Sequence, residues 1–262
     1  MRRRKHPPGR PGGASTTASD RASADGGGLW LYGHHAVEAA LANPRRVVKR
    51  WLLTQAMAEP SLPEGRPPPE VVERRTLERL LPPGAAHQGI AAEVQPLPGL
   101  SLDQVIDRTT DSRPRRLVLL DQVSDPRNVG AILRTAAAFA VHALVLTHRH
   151  APPESGALAK AASGALESVP IVRVANLAQA LEALAKRNFW RIGLDAAAAA
   201  DLAASDLSGD LALVLGAEGR GLRRLTAERC DVLARLRTAD KMASLNVSAA
   251  AAIALYLAYR AA

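Results

Sequence analysis

Three short segments hold the residue types that could do chemistry. The first is Asp121-Gln-Val-Ser-Asp125-Pro126-Arg127-Asn128-Val-Gly130-Ala-Ile-Leu-Arg134-Thr135. Asp125 is a natural N-cap and Pro126 suits the first helical position. Val129, Ile132, Leu133, Ala136 and Ala140 recur at helical spacing, so they mark a buried face. Arg127 and Arg134 stand seven residues apart, which at ~100° per residue places them nearly in line as a cationic ridge. An anion would be favoured at the start of such a helix. A plain capped helix with two solvated arginines satisfies the same spacing.

The second segment is Leu211-Ala-Leu-Val-Leu215-Gly216-Ala217-Glu218-Gly219-Arg220-Gly221-Leu222. A buried strand runs into a glycine-rich turn. The glycines are spaced G-x-x-G-x-G, which is neither a dinucleotide fingerprint nor a phosphate loop. They would let backbone N–H and C=O groups approach an adenine or ribose edge, although a tight turn alone needs glycine too. Glu218 is the member that a turn does not require. The third segment, Met242-Ala-Ser244-Leu245-Asn246-Val247-Ser248, opens the last helix, and Ser244, Asn246 or Ser248 is its cap.

The elements around these segments alternate. From Arg115 onward, short apolar strands are expected at Leu117–Asp121, Ala143–Leu146, Ile171–Val174, Phe189–Leu194, Leu211–Leu215 and Val232–Leu236. Helical patterns lie between them at Asn128–Ala140, Ala157–Leu166 and Leu177–Arg187, and a last one runs from Ser248 to Tyr259. Continuous apolar strands alternating with helices predict an α/β domain, residues 115–262, built on a mostly parallel sheet with both faces covered. A ligand then belongs at the carboxyl ends of the strands. Residues 29–97 show shorter alternating elements and predict a smaller α/β domain. Residues 98–114 read as a linker, and residues 1–28 as a disordered basic arm. That arm sets Arg2, Arg3, Arg4, Lys5, Arg10 and Arg21 against Asp20 and Asp25. With so little apolar surface it cannot offset the entropy of ordering, so it is either a solvated tail or a loose phosphate-binding arm.

The 262-residue chain carries a formal charge of +9, which points to a polyanionic partner. No apolar run reaches the roughly 18 residues of a membrane span. The basic start is followed by Pro7, Pro8 and Gly9 instead of an apolar signal segment. A single cysteine, Cys230, allows no internal disulfide, and the seven histidines show no metal-ligand spacing. A cytoplasmic protein without metal or membrane is the expectation.

Taken in order, Asp125-Pro-Arg-Asn128-Val-Gly130 with Arg134, Gly216-Ala-Glu218-Gly-Arg-Gly221 and Ser244-Leu-Asn246-Val-Ser248 resemble the motifs of the SpoU (TrmH-like) group of SPOUT methyltransferases. Tyr32-Gly33-His34-His35-Ala36-Val37 and His87-Gln88-Gly89-Ile90 resemble the L30e-like substrate domain fused to many of them. Together with Ala162-Ser-Gly-Ala-Leu-Glu167-Ser-Val-Pro170, the pattern is most similar to the branch that methylates a guanosine of large-subunit (23S) rRNA. Related enzymes acting on tRNA share the arrangement.

The resemblance implies S-adenosylmethionine as methyl donor, an RNA ribose 2′-hydroxyl as acceptor, a trefoil knot in the C-terminal sheet, and a homodimer. It places Gly216, Ala217, Leu236 and Leu245 at the adenosine. It puts Arg134 at the hydroxyl, with Asn128, Glu218, Ser244 and Asn246 around it and Arg127 on the RNA. Glu218 is expected to hold the Arg134 guanidinium. The family commonly carries Ile-Pro-Met before the third motif, whereas Leu236-Arg237-Thr238 stands here. Two other classes fit less well. A nucleotide-dependent oxidoreductase lacks its glycine fingerprint, and a non-catalytic RNA-binding module would need gaps among the polar positions, all of which are filled.

Overall fold

A computed structural model describes residues 28–57, 64–109, 113–239 and 245–261. Residues 1–27 of the basic arm and Ser244 lie outside the described residues. Two sheets organise the chain. The first joins β1 (Leu29–Tyr32), β2 (Val48–Thr54), β3 (Glu70–Val72) and β4 (Ile90–Val94) in the order β1-β4-β2-β3, with helices α1 (His34–Ala42) and α2 (Arg74–Leu80). β4 runs antiparallel to both its neighbours and β2–β3 is parallel.

The second sheet has seven strands in the order β7-β6-β5-β10-β8-β11-β9. They are β5 (Arg116–Asp121), β6 (Ala143–Thr147), β7 (Ile171–Val174), β8 (Trp190–Leu194), β9 (Ala200–Asp201), β10 (Leu211–Gly216) and β11 (Val232–Arg235). Every pairing is parallel. The chain winds outward from β5 through β6 to β7, then crosses to build β8 and the strands around it. The reversal of direction falls between β5 and β10, so the carboxyl ends of the central strands are where a ligand is expected.

β5, β6 and most of β10 are buried on both faces, as expected for a sheet with helices above and below. The helices are α3 (Leu102–Arg108), α4 (Pro126–Ala138), α5 (Gly156–Ala162), α6 (Leu177–Lys186), α7 (Arg224–Ala227) and α8 (Val247–Arg260). α4 begins as its sequence dictates: the Asp125 carboxylate accepts from the Arg127 N–H at 2.8 Å, and Pro126 occupies the first turn. It packs closely on α5, where a Cβ on Gly130 would lie 2.5 Å from the Leu158 carbonyl oxygen.

Two expectations need correction. The stretch read as a linker contains α3, started by a reciprocal capping box between Ser101 and Gln104. Its Val105 and Ile106 pack with Leu117, Leu119, Leu177 and Leu181, so it belongs to the second sheet's core. The helix expected over Ala157–Leu166 stops at Ala162. Ser163 and Gly164 take left-handed backbone angles, and a short 3₁₀ turn, Ala165–Glu167, follows. The chain bends there because α1 crosses it: a Cβ on Gly164 would stand 3.0 Å from that of Ala39.

The two sheets share one core. Leu31, Val37, Trp51 and Ile90 belong to the same buried cluster as Val118, Leu133, Leu158 and Leu255. The N-terminal lobe is thereby fixed beside α4 and α5.

Candidate active site

Carboxyl ends of β8, β10 and β11 face a cleft of 880 Å³, within the range of about 300–1,000 Å³ usual for small-molecule sites. Its walls are the glycine turn after β10, the segment Leu236–Ala239 after β11, the Asp195–Ala197 loop after β8, and the start of α8. Gly216, Ala217, Leu236 and Leu245, the four residues expected at the adenosine, all line it.

The glycine turn is shaped by contact as well as by conformation. An ideal Cβ on Gly216 would fall 2.1 Å from the Gly221 carbonyl carbon and 2.5 Å from the Leu222 nitrogen. The Gly221 N–H donates to the Ala217 carbonyl at 2.9 Å and closes the loop. Gly219 and Gly221 hold φ values of 77° and 65°, which side-chain-bearing residues seldom adopt. The turn thus folds back on its own strand and presents backbone to the cleft.

Glu218, at the head of this turn, gathers the other two segments. Its Oε1 accepts from the Asn128 amide at 2.9 Å and from the Asn246 amide at 2.5 Å. Asn246 also donates to the Asn128 side-chain Oδ1 at 3.2 Å. The far side of Asn246 caps α8, its Oδ1 accepting from the Ser248 N–H at 2.9 Å, so Asn246 is the cap among the described candidates. Three segments distant in sequence thereby meet at one carboxylate.

Arg134 and Arg127 are exposed on α4. Among the described residues Glu218 is held by the two asparagine amides and forms no ion pair with Arg134, contrary to expectation. Arg134 makes no ion pair among the described residues, and its side chain lies on the exposed face of α4. Arg127 lies near Tyr32 of the N-terminal lobe. Burial pushes the Tyr32 phenol up, and the charge of Arg127 offsets part of that.

Sequence reasoning missed part of the cleft. Asp195 follows β8 directly, and its place at a strand's carboxyl end was the signal available. Arg235 lines the wall with a buried Nε that has no hydrogen-bond partner among the described residues. Arg237 pairs with Asp201 at 2.8 Å and ties this wall to β9. The described residues include no cluster of three His, Cys, Asp or Glu side chains able to hold a metal. No helix among them is long and apolar enough to cross a membrane.

S-adenosylmethionine joins a purine nucleoside to a charged amino-acid arm. Apolar Leu215, Leu236 and Leu245 and the bared turn backbone suit the nucleoside. Asp195, Glu218 and the unsatisfied Arg235 suit the arm. The residues present fit this cofactor.

A parallel α/β domain with such a cleft at the carboxyl ends of its strands, a glycine turn on one wall and polar residues at the rim, suits a group-transfer enzyme using a nucleoside cofactor. The SpoU rRNA methylase family profile matches residues 115–256, and the RNA 2′-O ribose methyltransferase substrate-binding profile matches residues 30–99. The chain belongs to the SpoU rRNA methylase family and is an RNA methyltransferase that takes its methyl group from S-adenosylmethionine.

Among its relatives, the 23S rRNA (guanosine-2′-O-)-methyltransferase RlmB of Pseudomonas putida is 39% identical over 241 residues, covering 88% of this chain and 95% of the relative. The RlmB of Vibrio cholerae is 38% identical, covering 88% and 96%. In structure, the SpoU methyltransferase AviRb of Streptomyces viridochromogenes, solved with its cofactor AdoMet, superposes with a TM-score of 0.74 at 23% identity over 93% of both chains. This last likeness speaks to the fold.

Proposed function

We propose that this chain methylates the ribose 2′-hydroxyl of a guanosine in large-subunit (23S) rRNA, acting as a homodimer in the cytoplasm. The observation that carries the site assignment is the junction at Glu218. It brings Asn128, Asn246 and the glycine turn together beside a cleft that fits the methyl donor. The guanosine and the 23S rRNA rest on the two RlmB relatives, whose names give that substrate.

The bound cofactor supplies a methyl carbon on a cationic sulfonium. The chain's residues must orient the acceptor and ease the loss of its proton. Arg134 is a poor base, since a guanidinium pKa exceeds about 12. It acts instead by donating hydrogen bonds to the ribose oxygen or its phosphate and by stabilising negative charge as that develops. Asn128 and Asn246, steered by Glu218, fix the polar rim on which the ribose rests, with Ser244 as its fourth member. Gly216, Ala217, Leu236 and Leu245 hold the adenosine. Arg127, exposed beside the N-terminal lobe, contacts RNA phosphate. The lobe of residues 29–97 and the basic arm of residues 1–28 select the RNA, while residues 115–262 do the chemistry.

Support for the homodimer comes from α8, which leaves Ile253, Tyr256 and Tyr259 exposed, with Phe139 against both tyrosines. The trefoil knot belongs to the same reading. α8 packs on α4 and β10, although β11, the strand that precedes it, lies two places from β10 in the sheet, and this placement is compatible with a knot.

The test is to supply radiolabelled cofactor with 23S rRNA and with tRNA and to map ribose methylation in each. Methylation of one guanosine in 23S rRNA is expected. Label entering tRNA while 23S rRNA stays unlabelled would overturn the substrate assignment.

A further inference from the structure

β5 and β10 end side by side, with Asp121 and Gly216 as register partners. From these two residues the chain departs in different directions. After Asp121 it runs to the cap of α4 and so to Asn128. After Gly216 it enters the glycine turn and so reaches Glu218.

The Asp121 side chain is 0% exposed, and both its oxygens are occupied by one residue from the far end of that turn. Oδ2 accepts from the Arg223 backbone N–H at 2.9 Å, and Oδ1 accepts from the Arg223 Nε at 2.6 Å. Arg223 follows Leu222, the last residue of the glycine segment, and is the N-cap of α7. A carboxylate beside the entry of the turn therefore grips its exit, while Gly216 lets the entry fold against Gly221. Gln122, next in sequence, takes a left-handed φ of 61°, so the chain swings away directly after Asp121.

Neither Asp121 nor Arg223 lines the cleft. A buried carboxylate costs free energy unless it is paired and hydrogen-bonded. Here its partner is a residue whose side chain is 47% exposed and which packing alone would not hold. The pair is a second tie between the same two loops that Asn128 and Glu218 join at 2.9 Å on the cleft side.

We infer that Asp121, acting through Arg223, is a positioning residue for methyl transfer. It sets the exit of the glycine turn and so holds both the adenosine-lining backbone and Glu218 in register with α4. This rests on the reading that the cleft binds S-adenosylmethionine.

The experiment uses the full chain and the variants Asp121→Asn, Arg223→Ala and Arg223→Lys. Cofactor affinity is measured by calorimetry, and the methylation rate in a single turnover at saturating cofactor and RNA. In Asp121→Asn one oxygen can still accept from the backbone N–H, but the amide NH₂ then opposes the Nε donor. Loss of a charge-assisted hydrogen bond predicts about tenfold weaker cofactor binding, with a slower single turnover. Arg223→Ala should lose as much, and Arg223→Lys, which keeps the charge, should lie between it and the wild type.

A purely stabilising role would lower the melting temperature and leave both measurements unchanged for the folded protein, and that result overturns the inference. Should Asp121→Asn fail to fold, Arg223→Ala decides, because its side chain is half in solvent. Wild-type cofactor affinity and rate in that variant are equally fatal. Absence of cofactor binding by the wild-type chain would overturn the cleft reading, and this inference with it.

Discussion

Arg46 and Glu167, one from each lobe, meet in a fork shut off from solvent. The Arg46 Nε donates to both Glu167 oxygens at 3.1 Å and Nη2 donates to Oε1 at 2.7 Å. Nη1 is shared between the Gln95 carbonyl and Glu154, each at 2.8 Å. Such a guanidinium, 1% exposed, fixes the angle between the N-terminal lobe and the catalytic sheet. Arg46→Ala would strand two carboxylates, and breaking a buried pair from one side costs on the order of 3–5 kcal/mol.

The pH dependence of that loss has a definite sign. Burial already pushes the Glu154 carboxyl above its ordinary value, although Arg46 opposes the rise. Without Arg46 it rises further, and a raised carboxyl is tolerated best when protonated. The stability deficit of Arg46→Ala should therefore shrink as pH falls through the raised value towards the ordinary carboxylate range. Urea unfolding of wild type and variant at pH 7 and near pH 5 measures it. A deficit of constant size would refute the account.

Gly216 supports a second prediction. Because a Cβ there meets the turn's own backbone at 2.1 Å, even alanine must push the turn out of place. Gly216→Ala should weaken cofactor binding by about tenfold or more, equivalent to the 1–3 kcal/mol typical of overpacking. The far-ultraviolet dichroism should stay close to wild type. Valine displaces the turn further and cannot separate lost contact from lost shape. Unchanged affinity of the alanine variant in calorimetry would show that the turn does not line the cofactor.

Much of this architecture was legible in the residues. Runs such as Leu117–Asp121 and Leu211–Leu215 are too short and too evenly apolar for anything but buried parallel strands. Asp125-Pro126 announced α4 to within two residues. What escaped reading depends on distance through space. Ser101 and Gln104 spelled a capping box, yet α3 has only two buried apolar residues and no periodicity to draw attention. The break at Ser163 comes from α1 crossing overhead, which no local propensity records. Two-residue β9 exists only because β11 lies beside it. Glu218 could be suspected of chemistry from its place in a turn, but its partners lie 90 and 28 residues away, and their identity came from the fold.

Cys230 gives a simple check on packing under the cleft. It is half-buried, and burial pushes its thiol up to about 12. The thiolate is the reactive form, so the native protein at pH 8 should resist an aromatic disulfide reagent, while the chain in denaturant reacts at once. Rapid labelling of the native protein would mean that Cys230 does not pack against β8, where a Cβ on Gly193 would stand 3.0 Å from its Sγ.

Arg134 and Arg127 separate the chemical step from RNA binding. Both are exposed on α4, but Arg127 sits beside Tyr32 and the N-terminal lobe, whereas Arg134 makes no ion pair among the described residues. If Arg134 stabilises charge in the transition state, Arg134→Ala should cut single-turnover methylation by orders of magnitude with little change in the binding of either substrate. Arg127→Ala should instead weaken RNA affinity, because a phosphate contact is made before and during the reaction alike. It should also make RNA binding less dependent on salt, by about one unit of the logarithmic slope. Arg134→Lys distinguishes geometry from basicity. Lysine keeps the charge and loses the planar fork, so it stays nearly inactive if bidentate geometry is what matters. Recovery of the lysine variant at high pH would make residue 134 a proton acceptor instead. Wild-type turnover by Arg134→Ala at saturating RNA would reduce Arg134 to a surface cation and remove it from the mechanism.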